Sequence, residues 1–286
     1  VNTPATLTYV YAVTRRTEPL GEALAGLLGI GRAPVRLLLP TALPTAPTAR
    51  GSGGLAFVAS EVPERDFNES ALKDHFEDLQ WLEDVARTHH DVVQAIAALA
   101  PLLPLRMATV YQDESRARQA LTAQHHTFAR LLDELQAHTE YGVKIYLTPP
   151  TAADARSAGG ATATSAAPTS PGKAYLHARR AQHHAREAVY EQAKQAADLI
   201  EAIAARHTTR RARHAPQRGA LTGPQENVLN DAYLIPDDQA EPFRRAIADA
   251  ARNFPDLRIE VTGPWAPYSF AMSDPDSPAD PRQSPP

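Results

Sequence analysis

The residues best able to do chemistry in this chain are its eleven histidines, because an imidazole can ligate a metal or move a proton near neutral pH. Two histidines chelate one ion from a helix when they stand three or four residues apart on one face. No pair here has that spacing. The doublets His89-His90, His125-His126 and His183-His184 are adjacent, so on a helix their side chains diverge by about 100°. They read as hydrogen-bonded packing residues, and no metal is expected. Serine, histidine and aspartate all occur, but no serine lies in a GxSxG elbow, so nucleophilic hydrolysis has no support. The run GLLGIG at 26–31 lacks both GxGxxG spacing and a Walker lysine. The pairs Glu77-Asp78 and Glu83-Asp84 could serve as acid and base, yet as sequence neighbours on an acidic helix they read as a solvated face. No catalytic residue and no cofactor is expected, and the chain reads as a non-enzyme.

Two other clusters could recognise a partner. RHTTRRARHAPQR at 206–218 holds five arginines, two histidines and no acid. It suits a solvated loop, RNA, an acidic partner or an acidic helix of the same chain. TGPWAPYSF at 262–270 sets one of only two tryptophans, a tyrosine and a phenylalanine among a glycine and two prolines. Proline removes a backbone donor and fixes φ, so an extended aromatic strap is expected directly after a strand at 257–261. Trp265, Tyr268 and Phe270 suit either the packed closure of a sheet or rigid anchors at a protein interface.

The 286 residues suffice for two domains of ordinary size. No cysteine occurs, which excludes disulfide frameworks and thiolate sites and fits a reducing compartment. No apolar run approaches the roughly 20 residues of a membrane span, and the first residues lack a signal-peptide pattern, so a soluble, unexported, cytoplasmic protein is expected. A formal net charge of -4 argues against broad electrostatic capture of nucleic acid. Proteins or small molecules are the expected partners, with no membrane.

Hydrophobic patterning places the elements that must carry these clusters. Strand patterns at 7–13, 35–39 and 55–60 surround a short helix at 20–30, giving a β-α-β-β start. From 69 to 100, Leu72, Phe76, Leu79, Leu82, Ala86, Val93 and Ile96 write one stripe on a long helix with acidic outer faces, closed by Pro101 and Pro104. Next come a strand at 105–111, a helix at 113–138 with Leu121, Phe128, Leu131, Leu132 and Leu135 inward, and a strand at 141–147. The segment 148–171 is too poor in large apolar groups to order and reads as a flexible linker. A long alanine-rich helix follows at 172–206, then a strand at 227–235, a helix at 241–254 through Phe243, Ile247 and Phe254, and the strand at 257–261. Two βαβ units in tandem make the split βαβ, ferredoxin-like plan. The expected fold is therefore α+β in two domains: an N-terminal domain over 1–100 and a ferredoxin-like C-terminal domain over 101–272, its long helix inserted between the second and third strands. A disordered tail is expected at 273–286. The same plan underlies RNA-recognition modules, but neither LRMATVY nor YGVKIYL carries their aromatic signature.

Seven segments, in order, resemble the GvpF/GvpL family of gas vesicle proteins: TYVYAV near the start, DLQWLEDVARTHHDVV, PLRMATVY, YGVKIYL, GKAYL, VLNDAYLIP and TGPWAPYSF. Met107-Ala108 and Tyr141 depart from the family's usual residues. The resemblance implies a non-catalytic assembly accessory that binds the small hydrophobic shell subunit and other gas vesicle accessory proteins, and helps bring the subunit to the growing wall. It also implies a two-domain α+β fold and a place in the cytoplasm and at the gas vesicle. Arg106, Trp265, Tyr268 and Phe270, in the two most family-like segments, are the expected interface residues. The alternative class is a ferredoxin-like ligand- or RNA-binding module.

Overall fold

A computed structural model describes residues 5–41, 54–75, 77–148, 171–208, 210–217 and 225–271. Two compact units emerge, one formed by Val1–Thr139 with Trp265–Pro286 and the other by Glu140–Pro264. Both mix helices with an antiparallel sheet.

The first unit is organised around β1 (Thr6–Arg15). β2 (Arg36–Leu38) pairs with β3 (Leu55–Pro63), and β3 pairs with β1 over its whole length. On its other side β1 takes β4 (Leu102–Pro104) opposite Ala12–Thr14 and β5 (Val110–Tyr111) opposite Thr8 and Tyr9. The register of β1 against β3 slips between Val10 and Ala12. This bulge lets Ala12 join Tyr9 and Tyr11 in one apolar cluster. Helix α1 (Glu18–Leu24) begins after Thr17 with a proline in its first turn, where a missing N–H costs little. Two short helices, α2 (Glu64–Phe67) and α3 (Glu69–His75), lead to α4 (Leu79–Ala97).

The stripe expected along one helix from 69 to 100 is interrupted. Asp78 stops α3 from running into α4 by capping the latter, its carboxylate accepting from Gln80 N and Trp81 N at 3.1 Å. The phase of the buried face shifts accordingly to Val85, His89, Val92, Val93 and Ile96, while Leu79 is 80% exposed and Ala86 faces solvent. Phe76 lies outside the described residues. Beyond β5, α5 (Glu114–Ala123) starts on an Asp113 cap and breaks at Gln124 before α6 (His125–Leu135). The five inward residues expected there, Leu121, Phe128, Leu131, Leu132 and Leu135, are all buried.

The second unit contains β6 (His138–Leu147), α7 (Pro171–Ala204), β7 (Arg211–Arg213), β8 (Glu226–Pro236), α8 (Ala240–Ala251) and β9 (Leu257–Trp265). Its sheet has the order β7-β8-β6-β9. Tyr141, Val143, Ile145 and Leu147 of β6 pack with Ala193, Ala196 and Ile200 of α7 and with Phe243 and Ile247 of α8. Asn227 fastens the sheet interior, donating to Ile145 O at 3.1 Å and Leu229 O at 2.8 Å while its carbonyl oxygen accepts from Gln217 N.

Two expectations are corrected. The segment 105–111 does not open the C-terminal sheet. It bulges outward between β4 and β5, because Tyr11 O accepts from Leu105 N and Thr109 O accepts from Val10 N at 2.9 Å, which ties 101–139 to the first unit rather than the second. The long helix does lie between the strands expected at 141–147 and 227–235, but the short strand β7 also intervenes before β8. The basic run at 206–218 is not a plain solvated loop: β7 lies within it, with Arg211 gripping Asp231 through two guanidinium nitrogens and reaching Glu201 at 2.7 Å. The linker expected at 148–171 and the tail at 273–286 lie almost wholly outside the described residues.

Gly29 shows how closely the first core is packed. A Cβ there would meet Tyr11 Oη at 2.2 Å, whereas one at Gly21 in α1 would meet nothing within 4 Å. Gly29→Ala is therefore expected to destabilise by about 1–3 kcal/mol, as overpacking does, and Gly21→Ala to be neutral or stabilising by up to about 1 kcal/mol. Urea unfolding of the two variants checks the contrast.

Candidate functional site

The strap supplies most of the residues singled out by sequence. β9 runs on through Pro264 to Trp265, further than expected; this strand is at the sheet's edge, where a proline forfeits no ladder bond. Ala266 and Pro267 are then buried, and α9 (Tyr268–Ala271) ends the described chain. Ala266 belongs to the same apolar cluster as Tyr9, Tyr11 and the inner face of α4, with Tyr268 packed against it.

The aromatic residues of the strap divide by environment. Phe270 is 6% exposed and serves as core, whereas Trp265 is 39% exposed and Tyr268 is half-buried. His90 on α4 meets both, its ring 5.3 Å from that of Trp265 edge-on and 6.3 Å from that of Tyr268. A tryptophan held from one side and open on the other is the form an interface anchor takes. Arg106 sits exposed on the 105–109 bulge, directly after β4, against which α9 lies. Its carbonyl accepts from both Thr109 N and Thr109 Oγ1, so the bulge has a defined shape.

Beneath this surface lies a buried polar network that sequence reasoning missed. The Ala108 N–H donates to Tyr9 Oη at 2.9 Å, leaving the phenol proton to donate to His89 Nδ1 at 2.9 Å. That assignment puts the imidazole proton on Nε2. Tyr11 Oη accepts from Ile30 N at 2.9 Å and shares a 2.7 Å hydrogen bond with Ser60 Oγ. Tyr9 thus links the bulge carrying Arg106 to the helix that holds the strap. Burial raises both tyrosines above the usual phenol range, so they act as neutral hydrogen-bonding groups. The only hint in the sequence is the alternation of Tyr9 and Tyr11 in β1, and nothing in it says that a histidine eighty residues on completes the network.

The remaining histidines part company. His89 is 3% exposed, while His183 and His184 are exposed beside Glu187, at 3.4 and 3.2 Å. Among the described residues, no group of three or more metal-ligating side chains converges. Glu77, Asp78, Glu83 and Asp84 all face solvent, with Asp78 spent on the α4 cap and Glu83 paired to Arg87. Among the described residues, no helix is long and apolar enough to cross a membrane.

The family model for the gas vesicle synthesis proteins GvpL/GvpF matches residues 7–272. The chain belongs to the GvpL/GvpF family. Gas vesicle protein L of a Streptomyces species is 37% identical over 266 residues, which cover 93% of this chain and 92% of the relative. Gas vesicle protein F of the same organism is 26% identical over 274 residues, 92% and 98% of the two chains. The crystal structure of GvpF from Microcystis aeruginosa aligns with a TM-score of 0.59 at 18% identity over 93% of this chain and 99% of that one, a likeness of fold.

His89 predicts a measurable pH dependence for this GvpL/GvpF chain. Desolvation lowers its pKa from 6.5 to about 4, the Leu105 backbone carbonyl opposing and the neighbouring His90 reinforcing the shift; Nε2 itself has no hydrogen bond of normal geometry. A folded-state pKa below the unfolded one means that the unfolded chain takes up the proton first. This contribution is complete above about pH 6.5 and is lost as pH falls towards 4, by roughly 3 kcal/mol. Urea unfolding between pH 7.5 and 4.5 should show the loss, and a His89→Leu variant should have a flatter profile over that window.

Proposed function

We propose that this protein is a non-catalytic accessory in gas vesicle assembly, which binds the small hydrophobic shell subunit and assists its incorporation into the wall. The observation that carries the reading is the half-exposed Trp265, held edge-on by His90 above a buried polar support in a GvpL/GvpF chain. Subunits of an apolar shell expose sheet edges and greasy surface before incorporation, and such species aggregate unless covered. A rigid aromatic anchor covers apolar surface at low entropic cost. Trp265 and Tyr268 make the contact, Arg106 adds a charged group on the neighbouring bulge, and Phe270 holds the strap down from within. The chain acts in the cytoplasm and at the vesicle, alongside other gas vesicle proteins.

The Glu140–Pro264 unit is read as ferredoxin-like. Its β-α-β-β-α-β succession and the strand order β7-β8-β6-β9 support this, with α7 as the first crossover helix.

Trp265→Ala with Tyr268→Ala is expected to reduce co-purification with the shell subunit at least about tenfold, on the scale of a lost hot spot, with circular dichroism unchanged. Undiminished capture by a folded double variant would remove the strap from the interface. Phe270→Ala should instead lower stability by about 3–5 kcal/mol, as deletion of a buried phenylalanine does, which thermal unfolding measures.

A further inference from the structure

The described residues of the long helix α7 before Val189 take no part in the core of its own unit. Among its described residues the first buried one is Ala193, and the described residues from Arg179 to Ala188 are exposed without exception. Where the packed part of α7 begins, the helix is pinned to β8: Tyr190 Oη donates to the Glu226 carboxylate at 2.7 and 2.8 Å, with the Arg186 guanidinium 3.7 Å from the same carboxylate and over the Tyr190 ring. N-terminal to that pin, 171–186 spans about 24 Å of helix at 1.5 Å per residue. It carries Lys173, Arg179, Arg180 and Arg186, three histidines and no carboxylate; Arg186 is engaged by Glu226, and Glu187, just past this stretch, lies beside His183 and His184, while Arg179 and Arg180 face solvent. A solvated helix normally mixes both signs along its faces, so sixteen residues with no acid of their own make a predominantly basic spur.

A surface of matching size and opposite charge occurs on the same chain. Residues 69–84 carry Glu69, Asp74, Glu77, Asp78, Glu83 and Asp84 against the single cation Lys73. Glu69 is neutralised by Lys73 and Glu83 by Arg87, and Asp78 caps α4. Asp74, Glu77 and Asp84 are left facing solvent on the stretch where α3 gives way to α4.

We propose that the basic spur at 171–186 docks on the acidic α3–α4 face of a second copy of this chain. Spur and face are different surfaces, so the contact is heterologous: each copy offers a spur to one neighbour and a face to another, and association continues along a row or closes into a ring. Opposite charges presented on two helices steer the encounter and set its direction, and contacts of this exposed kind weaken as salt rises. This assembly is independent of the strap: Trp265 takes no part in it.

Sedimentation velocity of the full chain over a range of concentrations tests the proposal. In about 50 mM salt the mean mass should rise with concentration, and in about 0.5 M salt it should return to that of the monomer. Arg179→Glu with Arg180→Glu, substitutions of similar helix propensity, should weaken association at least about tenfold. Asp74→Lys with Glu77→Lys and Asp84→Lys should do the same. Mixing the two reversed proteins should restore association, since each then presents a complement to the other. The neutral pair Arg179→Gln and Arg180→Gln is the milder version should a reversal fold poorly. A chain that stays monomeric in low salt, association that ignores the reversals, or a mixture that remains dissociated would overturn the proposal.

Discussion

Two phenol groups in the central strand of the first unit must find hydrogen-bond partners away from water, and much of that unit is arranged around this need. An unpaired buried hydroxyl costs about 1–3 kcal/mol, comparable to the whole gain from burying an aliphatic side chain. Tyr9 meets it with the Ala108 N–H and His89, and Tyr11 with the Ile30 N–H and Ser60. These four partners lie on the bulge after β4, on α4, on the short turn Ile30–Arg32 that follows α1, and on β3. Because β1 also makes the ladder with β3, β4 and β5, the strand and its two rings hold the turn after α1, β3, α4 and the contiguous stretch 102–111 against one another.

The surface above inherits its shape from that support. Tyr9 sets the bulge on which Arg106 stands, and α4 presents His89 inward and the adjacent His90 towards the strap. Since neighbouring side chains on a helix diverge by about 100°, the doublet serves two layers at once, polar core and aromatic surface. This explains how Trp265 meets the His90 ring edge-on and still keeps 39% of its surface exposed. That exposure leaves the core closed, because Ala266 and Phe270 on either side of Tyr268 are buried.

The second unit solves its charge problems internally. Arg211 enters the sheet edge only because Asp231 and Glu201 accept its guanidinium and the Tyr233 ring lies beneath it at 5.8 Å. One edge of its sheet is thus a short, charged strand, and the other carries Arg258 and Glu260 on either side of Ile259. Both are the kinds of edge that discourage uncontrolled pairing. Charge left over on α7 lies beyond the Tyr190–Glu226 pin, outside the packed part of the unit.

The sequence by itself determined the type and place of most elements, because periodicity and capping act within a few residues: Leu121, Phe128, Leu131, Leu132 and Leu135 were legible as an inward stripe, Phe243 and Ile247 likewise, and the strands around Tyr141 and Tyr233 as runs of apolar residues. The order of seven short segments was enough to point to GvpL/GvpF. Tertiary structure alone decided which elements share a sheet. PLRMATVY has the composition of one strand, yet β1 and the hydroxyl of Tyr9 split it into two strands and a bulge. One helical stripe became two helices because Asp78 found backbone N–H groups to cap. The strap's residues were visible, but not which would be core and which surface, since that depends on where α4 and His90 lie when the chain closes. Local signals report a residue's own backbone preferences; burial and pairing are properties of neighbours brought from eighty or more residues away.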